Sequence, residues 1–127
     1  MGFEIRWIKE GHLLHVDFFD PMTDSDAEAF NNVMNEYFEA SSRILVHGIF
    51  DFSQATTVYP LKRIARFTFP KHPRMGWNIF VGLPNKQVAF ILSVATQLFK
   101  LRVRNVDTME QALEFIQYVD QTISLDS

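Results

Sequence analysis

The chain opens with two short runs in which apolar and polar residues alternate. Residues 3–7 and 14–18 each place an apolar side chain at every second position, which is the period of a half-buried strand. Glu10-Gly11, between the two runs, is a turn signal. The pattern predicts an opening β-hairpin.

Beyond Pro21, helical periods alternate with short runs that are apolar at nearly every position. Thr23 precedes an apolar stripe that extends to about residue 39, and we interpret it as the N-cap of a helix. The runs at 44–52 and 77–81 are typical of strands buried on both faces. A parallel sheet requires such strands, because helices cover both of its sides.

Four further elements complete the prediction. A short helix is expected over 61–67, and Asn85 is expected to cap a helix that extends to residue 99. A last short strand is expected over 101–106. Asp107 is then expected to cap a final helix, with Glu110 at the capping-box position.

The resulting order is ββαβαβαβα. It predicts an α/β fold in which an opening β-hairpin is followed by βα units, giving a mixed, mostly parallel five-stranded sheet. The length of 127 residues suits a single domain, 1–127. Thirteen phenylalanines among 47% apolar residues predict an aromatic core.

Composition removes several classes of site. The chain contains no cysteine, which excludes disulfide frameworks, thiolate catalysis and cysteine-ligated metals. Residues 1–10 lack the apolar segment of a signal peptide, and the longest mostly apolar run, 88–99, is too short to span a membrane. We therefore expect a cytoplasmic protein without a membrane span.

Charge is distributed unevenly along the chain. Residues 1–59 carry three basic and ten acidic residues, residues 60–104 carry nine basic and no acidic ones, and residues 105–127 carry five acidic and no basic ones. Either these segments neutralise each other across the fold, or the basic segment forms a face for an anionic partner.

Three stretches resemble the SpoIIAA-like superfamily, which includes the STAS domains of anti-anti-sigma factors and a branch related to the SEC14 fold. They are 46–53 (VHGIFDFS), 77–82 (WNIFVG) and 104–116 (RNVDTMEQALEFI). The resemblance implies that fold and a non-enzymatic regulatory or ligand-binding role. Anti-anti-sigma factors place a phosphorylatable serine in an Asp-Ser-Ser-Gly turn, where this chain reads Val-Tyr-Pro-Leu at 58–61, so the phosphorylation switch does not carry over.

Polar residues near the carboxyl ends of the central strands form a candidate ligand or phosphorylation loop. In open α/β sheets, ligands bind at that edge. The alternative is that these hydroxyl groups satisfy the backbone of the loop. The candidates are Asp51, Ser53, Thr56, Thr57 and Asn85.

The histidines offer a weak metal pattern. His12 and His15 are three residues apart, so on a strand they point to opposite faces. His47 can share a face with His15, but no carboxylate at ligand spacing accompanies the pair. We expect no metal and no cofactor.

A basic segment interleaved with aromatic residues is a candidate site for an anionic headgroup or single-stranded nucleic acid. The acidic character of the whole domain argues against nucleic acid. The alternative is a solvated helix face that pairs with acidic residues of this chain. The basic residues concerned are Lys62, Arg63, Arg66, Lys71 and Arg74.

The predicted helix 86–99 is apolar around most of its circumference. A helix of this kind is covered on all sides, either within the chain, beneath a lipid-like ligand, or by a second subunit in a two-fold homodimer. The candidate dimer residues are Phe90, Ile91, Val94 and Leu98.

No phosphate-binding glycine loop or nucleophile motif is present in the sequence. The sequence therefore favours a non-enzymatic regulatory or protein-interaction module, homodimeric or with a protein partner. The alternative is a binder of a small amphipathic or lipid-like anion, held in an aromatic-lined pocket that the loop 70–76 closes.

Overall fold

The structure, a computed structural model, describes residues 2–123. In this range five strands alternate with four α-helices after the opening hairpin. The elements are β1 (Phe3–Lys9), β2 (Leu13–Phe18), α1 (Asp24–Ala40), β3 (Val46–Asp51), α2 (Leu61–Ile64), β4 (Met75–Val81), α3 (Lys86–Phe99), β5 (Arg102–Val106) and α4 (Met109–Val119). A 3-10 turn, Phe69–Lys71, precedes β4.

The strands form one mixed sheet in the order β1-β2-β3-β4-β5. β1 is antiparallel to β2, and the other neighbouring pairs are parallel. The sheet therefore advances by one strand at every crossover. Since parallel crossovers share one hand, such an advance places α1, α2 and α3 on the same face.

Helices consequently cover the two faces unequally. One face, here called the aromatic face, carries Leu14, Val16, Phe50 and Phe80, which pack with residues of α1 and α3. The opposite face, here called the second face, carries Leu13, Ile49 and Ile79, which pack with Ala112 and Ile116 of α4.

Phe30 of α1 is the centre of the aromatic face. Its ring lies 5.2–5.8 Å, centroid to centroid, from four other rings. All four contacts are edge-to-face, the arrangement that the quadrupoles of aromatic rings favour. The four rings are those of Phe3, Phe18, Phe67 and Phe69.

Two predicted helix caps are confirmed and one is wrong. Thr23 caps α1, and Asn85 caps α3 by accepting a hydrogen bond from Val88 N at 2.9 Å. The cap of α4 is Thr108, one residue beyond Asp107, and its partner is Gln111. A threonine followed three residues later by a glutamine satisfies the same capping-box geometry.

β3 is shorter than the predicted strand 44–52. Ile44 is 88% exposed, and Arg74 Nε donates to the carbonyl oxygen of Arg43 at 3.1 Å. The backbone before Val46 therefore belongs to a loop. Within residues 2–123, no helix is long and apolar enough to cross a membrane.

Candidate ligand-binding cleft

A cleft lies on the aromatic face because the middle crossover is too short to cover it. α1 has 17 residues and α3 has 14, but α2 between them has only four. At 1.5 Å per residue, four residues extend about 6 Å, whereas a six-residue strand beneath them extends about 20 Å. Most of the sheet between α1 and α3 is thus left for side chains and a cavity.

The predicted helix 61–67 ends early because α1 binds the following backbone. Asn31 Oδ1 accepts hydrogen bonds from Thr68 N at 2.9 Å and from Phe69 N at 3.1 Å. Phe67 N donates to Ile64 O, three residues back, which tightens the last turn instead of extending the α-helix. The chain therefore turns inward and places the Phe67 ring against Phe30.

The cleft has a volume of about 610 Å³, within the range of about 300–1,000 Å³ that is usual for small-molecule pockets. Strands and the segment after β3 form its floor, while α1, the segment after α2, and α3 form its sides. The rings that line it include Phe50, Phe52 and Phe80 below and Phe30, Phe67 and Phe99 at the sides.

One charged pair lies among the polar residues of the lining. Arg63 of α2 forms a salt bridge with Asp24 at the start of α1, and the hydroxyl of Tyr59 donates to the same carboxylate. The hydrogen bonds from Tyr59 and Arg63 lower the pKa of Asp24 from its ordinary value. Asp24 therefore stays ionised at neutral pH, and Arg63 has a carboxylate partner when no ligand is bound.

Asp20 holds Thr56 and Thr57 of the candidate ligand or phosphorylation loop in place. This carboxylate accepts hydrogen bonds from Thr56 N at 2.8 Å, from the Thr56 hydroxyl, and from Thr57 Oγ1 at 3.1 Å. Asn85 Nδ2 donates to Thr56 O at 3.0 Å. The loop is thus held by its own polar groups, and Thr57 is its one member among the cleft-lining residues.

Asp51 and Ser53 lie apart from the cleft. Asp51 shares the second face with Asp17, its partner in the neighbouring strand. Ser53 donates to Asp51 Oδ1 from its backbone nitrogen at 2.9 Å and from its hydroxyl. The candidate loop therefore divides between two faces of the sheet, which the sequence did not indicate.

The basic segment also divides. Arg63 lines the cleft, whereas Arg74 Nη1 donates to Phe38 O at 3.0 Å, at the carboxyl end of α1. Lys71 lies 5.9 Å from the centroid of the Phe99 ring. Lys62 and Arg66 are exposed.

The apolar residues of α3 likewise divide into two groups, one that lines the cleft and one that faces away from it. Leu92, Ala95 and Phe99 line the cleft. Phe90 and Leu98 of the candidate dimer set point away from it and are 68% and 57% exposed, while Ile91 and Val94 are half-buried.

Asn78 is a cleft residue that sequence reasoning missed. It is buried on β4, where its Nδ2 donates to the carbonyl oxygens of Gly76 at 3.4 Å and Arg102 at 3.3 Å. A single amide within an otherwise apolar strand was the available signal, since buried polar groups are usually paired.

No family model matches the chain, and no curated protein matches it. Among solved structures, the NMR structure of the protein TM1081 is similar, with a TM-score of 0.62 and 17% sequence identity. The match covers 89% of this chain and 86% of that chain. At this identity the likeness shows the fold alone: an α/β fold with a five-stranded, mostly parallel sheet.

Proposed function

We propose that the protein binds a small amphipathic molecule in the aromatic cleft. The observation that carries the proposal is a cavity of about 610 Å³ whose lining includes nine phenylalanine rings. Burial of an apolar ligand there gains about 25 cal/mol for each Å² removed from water. The aromatic face thus supplies the affinity for the apolar part of the ligand.

Arg63 is the group that we assign to the polar end of the ligand. Its side chain is about half exposed at the salt bridge with Asp24, so a carboxylate headgroup can replace Asp24 as its partner without burying a new charge. The ligand class is therefore an amphipathic anion such as a fatty acid.

Binding without turnover fits the hydrogen bonds around the cleft. The hydroxyls of Thr56 and Thr57 donate to Asp20, and that of Tyr59 donates to Asp24. Within residues 2–123 none of these hydroxyls contacts a histidine, the usual base for an activated nucleophile. We accordingly assign the protein a binding role and not a catalytic one.

The experiment is calorimetric titration of decanoate into wild type and into a cleft-filling variant. Ala95 of α3 lines the cleft, and Ala95→Phe places a ring in the ligand's space. If the ring displaces about 60 Å² of buried ligand surface, at about 25 cal/mol for each Å², binding is weakened by about 1.5 kcal/mol and the affinity should fall about tenfold.

Ala89→Phe is the matched control, because Ala89 lies on the same helix and outside the cleft lining. It should bind decanoate as wild type does. Circular dichroism confirms that both variants are folded. Equal affinities for wild type and Ala95→Phe, or no binding of decanoate by wild type, would refute the proposal.

The headgroup is tested with a second pair of variants. Arg63→Met should weaken the binding of decanoate but leave the binding of decanol unchanged. Lys62→Met, the control, removes the neighbouring charge outside the cleft lining and should change neither. A similar loss for both ligands in Arg63→Met would mean that Arg63 shapes the cleft and does not bind the anion.

A second candidate function is a homodimeric regulatory module of the SpoIIAA-like kind. It is supported by the exposure of Phe90 and Leu98 on α3, and by an element order that agrees with the one underlying the resemblance. The two functions are compatible, since the exposed stripe of α3 and the cleft-lining stripe are different sides of that helix.

A further inference from the structure

Three carboxylates lie side by side on neighbouring strands of the second face. Strand pairing sets Glu4 opposite Asp17, and Asp17 opposite Asp51. Neighbouring strands are about 4.8 Å apart, and like charges directly opposite one another destabilise a sheet. Repulsion of this kind, in a fold whose other local features favour stability, is characteristic of a functional position.

His15 is buried beside this row. Its side chain is 8% exposed, and Nε2 lies 3.2 Å from Asp17 Oδ1 and 3.7 Å from Asp51 Oδ2. Nevertheless, Nε2 makes no hydrogen bond within the described part of the chain. Because 3.2 Å is within hydrogen-bonding distance, the direction of the N–H bond prevents a hydrogen bond.

A bound metal ion accounts for this geometry. An ion about 2.1 Å from Nε2 and from each oxygen would give an N–metal–O angle of about 100° for the 3.2 Å pair and about 120° for the 3.7 Å pair. Both angles are close to the angle of about 109° in the tetrahedral geometry that Zn²⁺ prefers. A hydrogen-bond acceptor would lie along the Nε2–H bond of His15. If the nitrogen and the two carboxylates instead bind one metal ion, the ion lies along that direction and the carboxylate oxygens lie to its sides.

We propose that His15, Asp17 and Asp51 bind a divalent transition-metal ion of the Zn²⁺ class. One imidazole nitrogen with two carboxylate oxygens is a donor set that suits such ions better than Mg²⁺ or Ca²⁺. The site lies on the opposite face from the cleft and is independent of the proposed ligand. The sequence interpretation that no carboxylate at ligand spacing accompanies His15 and His47 is wrong for His15, because Asp17 shares its strand face and pairing with β3 brings Asp51 beside them.

Neighbouring groups prepare two of the ligands. Ser53 N donates to Asp51 Oδ1 at 2.9 Å, which orients the carboxylate and leaves Oδ2 towards His15. Asp17 and Asp51 are paired across neighbouring strands, so their carboxylates repel each other, and a cation between them would relieve that repulsion.

Arg6 is the group that competes with the ion. Its Nη2 donates to His15 Nδ1 at 2.9 Å, and a guanidinium group only donates, so without metal the ring proton lies on Nε2. Metal binding at Nε2 moves that proton to Nδ1 and displaces the exposed Arg6 side chain. Arg6→Met should therefore bind the ion more tightly than wild type.

The test is calorimetric titration of ZnCl₂ into chelator-treated, untagged protein. Wild type should bind one equivalent, and Asp51→Asn should weaken binding at least about tenfold, the loss that even a group supporting a metal ligand can cause. Asp17→Asn should do the same. Co²⁺ should give visible absorption bands in wild type that are lost in both variants.

Asp120→Asn is the matched control. His47 Nε2 donates to Asp120 at 2.9 Å, a histidine–aspartate pair on the same face with one carboxylate instead of two, and this variant should bind Zn²⁺ as wild type does. Three results would overturn the proposal: no saturation by millimolar Zn²⁺, equal binding by folded Asp51→Asn, or loss of binding in Asp120→Asn.

Discussion

The aromatic face and the second face of the sheet differ in how completely helices cover them. On the aromatic face, three consecutive crossovers lie over the sheet, and the middle one, α2, is too short to cover the strands beneath it. On the second face, α4 packs over β4 and β5, and Leu13 of β2 belongs to the same apolar cluster, whereas Arg6 and Glu4 of β1 are exposed. The first face thus leaves an apolar cavity, and the second leaves a polar surface.

The comparison shows how topology alone can create candidate sites. A sheet that advances one strand at a time puts its crossover helices on one side. A cavity then forms where a crossover is short, and a row of polar side chains stays uncovered where no helix crosses the sheet. Substitutions that change the free energy of unfolding in opposite directions on the two faces test this explanation.

The largest effect is expected from the filled part of the aromatic face. Phe38 is 1% exposed and lies outside the cleft lining, so Phe38→Ala should lower the free energy of unfolding by about 3–5 kcal/mol. Phe67→Ala should cost clearly less, because the Phe67 ring already borders the cavity. Urea unfolding measures both, and equal losses would mean that the cleft is packed as tightly as the core.

The next effect concerns the carboxyl end of α1. Arg74 donates to the carbonyl oxygens of Phe38 and Arg43, and hydrogen bonds from charged groups contribute about 1.5–3 kcal/mol. Arg74→Met should therefore lower the free energy of unfolding by about 2 kcal/mol. Lys62→Met, at an exposed position of the same basic segment, should stay within about 0.5 kcal/mol.

A smaller effect, of opposite sign, is expected on the second face. Asp17→Asn removes a like-charge neighbour of Glu4 and Asp51 and should, without metal, stabilise the protein by about 0.2–1 kcal/mol at neutral pH. Burial raises the folded-state pKa of Asp17, so its ionisation costs folding free energy as pH rises above about 4 through that raised pKa. The variant should lose this part of the pH dependence.

Asp120, at the other end of the same face, supplies the contrasting control. Burial raises its pKa, but hydrogen bonds from Thr122 and His47 outweigh burial and hold the pKa at about 2. Its contribution is therefore present above pH 4 and should be lost as pH falls towards 2. Asp120→Asn should remove that acid loss, and an identical pH profile for wild type and both variants would contradict the contrast between the two aspartates.

The smallest effect on stability is expected at the exposed stripe of α3. Phe90 is 68% exposed, so Phe90→Ser should change the stability of a monomer by no more than about 0.5 kcal/mol. If the protein is the proposed dimer, sedimentation should show wild type as a dimer and the variant as a monomer. Monomeric wild type would remove the dimer and leave the ligand-binding proposal intact.

Much of the fold was predictable because its signals are local. Alternation at 3–7 and 14–18, the cap residues Thr23 and Asn85, and the apolar run at 77–81 correspond to elements of the structure. The shift of the last cap from Asp107 to Thr108 shows the limit of such signals: both residues are capable of capping, and only the geometry after β5 selects one.

The candidate sites depended on contacts between distant residues. Asn31 ends α2 by binding the backbone of Thr68 and Phe69, and no local pattern near residue 64 encodes that. Asp17 and Asp51 meet only through the register of β2 on β3.

The sequence by itself determined the order of elements, the mostly parallel sheet and an aromatic core, because periodicity and capping act over a few residues. Tertiary structure decided which crossover was left short, where the cavity opened, and which carboxylates became neighbours of His15. These outcomes depend on competition between a helix and a distant side chain for the same backbone groups, and on strand register. Both are settled only when the whole sheet has formed.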